Sequence, residues 1–199
     1  MMFFGSPRNL LYPLQRGAKR LFDVGTAVIG LILFLRMILL VSLAIKLDSR
    51  GPVFSVQIEH SYGGQIIHVV RFRKMFVQSE QGEAHLTRMG RVLGWTGLGD
   101  LPMLWNVLIG EMSIVGPCAY RTTSALLTER TLVVSRFKEF KPGFTGWAQV
   151  RTSRKYKTAY AKLQQADDDL FYVANWSLCF DSRIILMSCL SKKWYALPS

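Results

Sequence analysis

From Val24 to Ile45 the chain reads VGTAVIGLILFLRMILLVSLAI, an apolar run carrying one charge, Arg36. At helical rise it is roughly 33 Å long, against a hydrocarbon core of about 30 Å. A surface of this kind has to be covered by lipid or by protein, so it limits the fold more than any other feature. It is too long for the h-region of a signal peptide, although Ser42-Leu43-Ala44 imitates a cleavage site. A spanning helix would carry its lysines and arginines mostly on one flank. Here Arg16, Lys19 and Arg20 precede the run, and Lys46, Arg50, Arg71 and Arg73 follow it. That symmetry favours a helix that enters one leaflet and returns, with both ends on the cytoplasmic side; a single span stays open. Arg36 at the bilayer centre would cost about 2.5–3.5 kcal/mol, and less where it reaches headgroups.

The remainder suits one compact domain. With 199 residues, half of them apolar, there is room for a single core and one membrane-seeking element. The expected division is a basic leader over 1–20, a membrane helix over 21–47 and a soluble domain over 48–199. A net charge of +12 points to anionic partners such as lipid headgroups or phosphorylated substrates. Nucleic acid is disfavoured, because the basic residues flank an apolar helix and no nucleic-acid motif accompanies them. Cys118, Cys179 and Cys189 show neither disulfide nor zinc spacing, and His60, His68 and His85 are scattered.

Past Gly51-Pro52, Val53–Gln57 and Ile66–Val70 are β-type runs separated by Gly63-Gly64, the pattern of a hairpin. Residues 76–88 are polar and read as a loop. Leu101–Leu108 opens with a proline suited to a first helical turn and stops before Gly110. Ala125–Phe140 and Thr158–Trp176 are further helical candidates, and Arg183–Leu190 is an apolar tail too short to cross a bilayer. The expected fold is α+β and mostly helical, with a small β-hairpin beside a membrane-embedded N-terminal helix.

Several runs in order carry a resemblance. They are Lys19-Arg20-Leu21-Phe22-Asp23, Lys46-Leu47-Asp48, Gly51-Pro52-Val53-Phe54 with Gln57, and Arg71-Phe72-Arg73-Lys74-Met75. Leu101-Pro102, Leu104-Trp105-Asn106-Val107-Leu108 and Gly110-Glu111-Met112-Ser113-Ile114-Val115-Gly116-Pro117 follow. Lys141-Pro142-Gly143-Phe144-Thr145-Gly146-Trp147-Ala148-Gln149 and Phe171-Tyr172-Val173 with Asn175-Trp176-Ser177 complete the set. Over about residues 17–190 this resembles the bacterial sugar transferases, monotopic phosphoglycosyl transferases that start lipid-linked glycan and exopolysaccharide assembly. The resemblance implies an inner-membrane enzyme facing the cytoplasm that moves a sugar phosphate from a nucleotide sugar to polyprenol phosphate, usually with magnesium. It also leaves room for contact with other polysaccharide-synthesis proteins. In that family an aspartate followed by a glutamate attacks the diphosphate and forms a covalent phospho-sugar intermediate.

The departures fall where that chemistry should be. The family's Asp-Glu-Leu-Pro-Gln stands here as Gly99-Asp100-Leu101-Pro102-Met103, and its Gly-Pro-Arg-Pro as Gly116-Pro117-Cys118-Ala119. A family arginine falls on Gly94, the Gln-x-Arg-x-Gly pattern reads Gln57-Ile58-Glu59-His60-Ser61, and Leu35-Arg36 replaces the Ser-Pro that breaks the membrane helix. Asp100 is the candidate catalytic residue, with a helix N-cap as its ordinary alternative. Arg71, Arg73 and Lys74 are candidate contacts to diphosphate or lipid headgroups, against a solvated basic strand end. Lys141, Gly143 and Thr145 are candidates to frame a nucleotide or phosphate; the alternative is a backbone turn with Trp147 in the core. Asp169, after Asp167 and Asp168, is the candidate magnesium ligand, against a solvated helical face. Two functions follow: a phosphoglycosyl transferase, or a catalytically silent relative that binds at the membrane and regulates glycan synthesis.

Overall fold

The computed structural model describes residues 12–60, 66–76, 85–119, 140–151 and 159–190. Helix α1, Tyr12–Asp48, is unbroken. Pro13 lies in its first turn, where a missing N–H costs no intrahelical bond, and the next proline is Pro52. Residues 12–20 are therefore the first turns of the membrane helix rather than a separate leader, and residues 1–11 lie outside the described residues.

The expected hairpin is present and longer than its sequence signal. Strand β1, Phe54–His60, pairs antiparallel with β2, Ile66–Phe72, from Phe54↔Phe72 to His60↔Ile66. Helix α2, Arg88–Thr96, escaped the sequence reading; it is capped by Thr87, whose Oγ1 accepts the Gly90 N–H at 2.7 Å. A 3-10 turn, Leu98–Asp100, leads into α3, Met103–Ile109, which ends at Gly110 with φ 92°. Strands β3, Ser113–Val115, and β4, Gly143–Thr145, pair in parallel. Three helices follow: α4, Trp147–Arg151, α5, Ala159–Ala174, and α6, Leu178–Leu190. The architecture is α+β and mostly helical. The helix expected over Ala125–Phe140 lies almost wholly outside the described residues.

One stripe of α1 docks on the domain. Ala27 is buried in the main core with Val69, Leu104, Val107, Ile114 and Tyr172; Val41 and Ile45 are buried with Phe72, Leu93 and Leu101. The opposite side exposes Ile29, Ile32, Leu33, Leu35, Leu39, Leu40, Leu43 and Leu47, and only 11% of the apolar window is buried. A helix of this length and composition can enter a membrane, and its uncovered face is the part left for lipid.

Polar bonds hold both ends of α1 to the same body. At the N-terminal end, Lys19 Nζ donates to Val115 O at 3.0 Å and to Asp181 Oδ2 at 2.7 Å. Arg20 donates to Val107 O and Leu108 O, two carbonyls in the last turn of α3. Asp23 accepts from Ser113 Oγ at 2.8 Å and from the Ile114 N–H at 3.1 Å. At the other end, Asp48 Oδ2 accepts the Met89 N–H at 2.9 Å, and Arg73 donates to Ser49 and Arg50. The unbroken α1 shows no return of the kind expected for a re-entrant helix, yet the domain's grip on both ends favours both lying on one side of a bilayer. Cysteines introduced at Gln15 and Arg50, both exposed, in a chain with Cys179 and Cys189 changed to serine, should therefore react with a membrane-impermeant reagent from the same side. Labelling from opposite faces would show that α1 spans.

Candidate functional site

The inward face of the hairpin is apolar on β2, where Ile67 and Val69 enter the core, and polar on β1. Alternation puts Phe54, Val56, Ile58 and Ile66 on an exposed face, while Gln57, Glu59 and Arg71 turn inward. Arg71 Nη1 donates to Gln57 Oε1 at 2.7 Å and lies 3.0 Å from Glu59 Oε1. Its Nε lies 3.3 Å from Asp100 Oδ1. The buried Asn106 fixes this strand against α3: Oδ1 accepts the Val70 N–H, and Nδ2 donates to His68 O and to Glu111 Oε2. Arg71 and Asp100 are thus set facing each other by two elements that one asparagine joins.

Asp100 does not cap α3. The cap position belongs to Pro102, without a side-chain bond, so the carboxylate is left for Arg71 and for Lys74, whose Nζ is 3.9 Å away. Lys74 is aimed here by its backbone. Its carbonyl accepts the Thr87 N–H at 3.0 Å, and Gly90 lets α2 press against that carbonyl where a Cβ could not fit. The side chain then runs to Gly99. A Cβ on Gly99 would strike Lys74 Cε and sit 2.8 Å from Nζ, so an ammonium occupies the place where a side chain at 99 would begin.

The other expected site residues are dispersed. Arg73 is corrected from anion contact to clamp: it is 5% exposed, and its two terminal nitrogens are engaged by Ser49 and Arg50 at the end of α1. Lys141 is exposed beside Arg20 and Gly110, at the far end of α3 from Asp100, about 10 Å of helix away. Burial, and then the like charge of Arg20, hold its ammonium below the usual lysine range. Gly143 and Thr145 build the fold. A Cβ on Gly143 would collide with Gly116 of the adjoining segment, and Thr145 Oγ1 is 2.8 Å from Ser188 Oγ. Trp147 packs between Phe171 and Phe180, the core alternative.

The aspartate run is no solvated face. Only Asp167 is exposed; Asp168 Oδ1 accepts from Arg151 at 2.7 Å, and Asp169 Oδ2 accepts the Cys118 N–H at 3.2 Å. Burial, and then the Asp169 carboxylate, push the Cys118 thiol well up, which keeps it protonated and poorly nucleophilic. Among the described residues no three His, Cys, Asp or Glu side chains converge as a metal site. Magnesium takes carboxylate oxygens, yet at the dyad position a single carboxylate faces two cations, Arg71 and Lys74. The residues present there do not fit a divalent ion.

Comparison with known proteins gives the family. The family described as bacterial sugar transferase matches residues 14–192. The chain belongs to the bacterial sugar transferase family. It is 35% identical over 190 residues to an undecaprenyl-phosphate glucose phosphotransferase of Komagataeibacter xylinus, covering 85% of this chain and 35% of that protein. A UDP-glucose:undecaprenyl-phosphate glucose-1-phosphate transferase of Caulobacter vibrioides is 36% identical over 192 residues, 87% of this chain and 70% of its own length. The exopolysaccharide production protein PSS of Rhizobium leguminosarum bv. phaseoli is 34% identical over 188 residues, 87% and 94% respectively. The chain thus spans about a third of the Komagataeibacter transferase and nearly all of the Rhizobium protein.

The sequence reading named Arg71, Lys74 and Asp100 as site candidates without foreseeing that Lys74 pairs with Asp100 and runs to Gly99. Lys74 stood in the matched run Arg71-Phe72-Arg73-Lys74-Met75. The signal available was a lysine three residues beyond Arg71 in a chain that lacks a side chain at 99.

Proposed function

We propose that this chain serves as a polyprenol-phosphate sugar-phosphate transferase of glycan synthesis, taking a nucleotide sugar at the cytoplasmic face of the bacterial inner membrane. The observation that carries the reading is the family match coinciding with a cationic constellation, Arg71 and Lys74, around the one surviving dyad carboxylate. The relatives' names supply the substrate class, undecaprenyl phosphate with a UDP-sugar. The uncovered face of α1 supports placement against lipid, with Arg36 reaching headgroup phosphate.

In this reading Arg71 and Lys74 hold the diphosphate and offset the charge that grows on it, while Asp100 keeps both cations in position. With no side chain at 99, the nucleophile left is a phosphate oxygen of the acceptor lipid. It attacks the sugar-bearing phosphorus; a P–O bond forms, the bond to the nucleoside monophosphate breaks, and that group leaves. A second reading, a silent relative that binds these ligands and regulates synthesis, is favoured by the ammonium seated in the nucleophile's place.

The test is release of nucleoside monophosphate by the full chain in nanodiscs, given a panel of nucleotide sugars with undecaprenyl phosphate. Turnover that falls by about tenfold or more in Asp100→Asn supports the first reading. A folded, membrane-bound chain that releases nothing across the panel overturns it in favour of the second.

A further inference from the structure

The dyad position seats an ammonium beside a single dyad carboxylate. Asp100 is that carboxylate, with Lys74 Nζ at 3.9 Å from it and 2.8 Å from where a Cβ at 99 would stand. With no carboxylate at 99 and an ammonium beside Asp100, the position carries less negative charge for a divalent ion to neutralise. The Lys74 backbone is pinned by Thr87 and by the close passage of Gly90, both at the start of α2, and its side chain runs from there to Gly99. Its partner is shared: Asp100 Oδ1 already lies 3.3 Å from Arg71 Nε, which leaves Lys74 the looser ion pair of the two. An arriving diphosphate can therefore recruit Lys74 without breaking a tight bond.

We propose that Lys74 takes the place of the metal, making this a metal-independent site for the diphosphate of a nucleotide-activated sugar, with Arg71 as its second cation. The inference rests on the reading of the site as one for a nucleotide sugar. A lysine is a point charge with three donors on a flexible stem, able to follow the phosphate oxygens that a rigid octahedral ion would order. A magnesium ion brought to this place meets the Arg71 and Lys74 cations, while the carboxylates there, Asp100 and Glu59, are both engaged by Arg71, so the site disfavours it.

The experiment measures binding of UDP and of UDP-glucose to the full chain in nanodiscs by calorimetry, once in EDTA and once in millimolar magnesium. Expected is the same affinity, to within about twofold, in both buffers. Lys74→Ala should weaken binding about tenfold or more, the loss of a charge-assisted contact, and Lys74→Arg should keep most of it. Thermal unfolding of each variant separates lost binding from lost fold. In Gly99→Asp/Lys74→Ala, two carboxylates without the ammonium should make binding magnesium-dependent. If the unmodified chain binds only with magnesium, and Lys74→Ala is indifferent, this inference fails while the nucleotide-sugar reading stands. If neither probe binds in either buffer, both fail together.

Discussion

Replacing Asp181 with alanine is expected to destabilise the folded protein by about 3–5 kcal/mol, a fall in Tm on the order of 10 °C for a chain of this size. Asp181 is fully buried at the start of α6 and collects three donors from three places. Lys19 Nζ reaches it from α1 at 2.7 Å, and the Tyr172 hydroxyl reaches it from α5 at 2.8 Å. Trp176 Nε1 arrives from the α5–α6 connection at 3.1 Å. Burial, and then the Asp181 charge, push the Tyr172 hydroxyl far up, so tyrosine stays a donor throughout the working pH range. Lys19 also lies over the Trp176 ring, 5.9 Å from its centroid. Truncating Asp181 leaves the mostly buried Lys19 ammonium with only Val115 O and the more distant Asp23 carboxylate, 3.8 Å away, and leaves the Trp176 N–H without this acceptor. Asp181→Asn keeps an acceptor for Tyr172 and should cost roughly half as much, whereas Asp167→Ala, at an exposed position, should stay within about 0.5 kcal/mol. Unfolding in nanodiscs followed by tryptophan emission reads all three. An Asp181→Ala chain that melts with the unmodified one would remove this network as the anchor of α1.

The same network shows why only part of the molecule was legible beforehand. Runs rich in Val, Ile and Phe on either side of Gly63-Gly64 located the hairpin, and an apolar run bounded by basic residues located α1. Both signals are local. Alternation said nothing about which face turns inward, because Phe54, Val56 and Ile58 point outward and the polar face is the one that builds the site. Lys19 meets Asp181 across 162 residues and Asp23 meets Ile114 across 91, and no spacing rule links either pair. Arg71 and Arg73 looked like an anion-binding pair, yet Arg73 lies past the end of β2, where open carbonyls at the end of α1 claim it. Gly143 and Thr145 looked like a phosphate cradle for a related reason. A glycine required by a neighbouring backbone and one required by a ligand are written with the same letter.

In millimolar magnesium, Gly99→Asp combined with Lys74→Ser is expected to raise nucleoside monophosphate release on the order of a hundredfold, the factor that an ångström of misplacement costs a reacting group; without magnesium the lost Lys74 cation should hold release near that of the unmodified chain. The change restores a carboxylate at the family's nucleophile position and clears the ammonium from it. Gly99→Asp alone should give little. The end of the Lys74 side chain is flexible and can yield to a new Cβ, but it then pairs with the new carboxylate and holds it away from phosphorus. In the double variant the attack is a carboxylate oxygen forming a bond to the sugar-bearing phosphorus as the bond to the nucleoside monophosphate breaks. A hexose-phosphate adduct on the intact protein mass is therefore expected before the lipid acceptor is added. Two lost arginines limit the gain. Gly94→Arg enters open space and should add to it, each charge-assisted contact contributing about 1.5–3 kcal/mol. Cys118→Arg is the harder change, since the position is buried, although Asp169 lies beside it to receive the charge. A folded, membrane-bound double variant with neither adduct nor release would show that restoring a carboxylate at 99 is not enough to restore the chemistry, and that the binding role is what this chain kept.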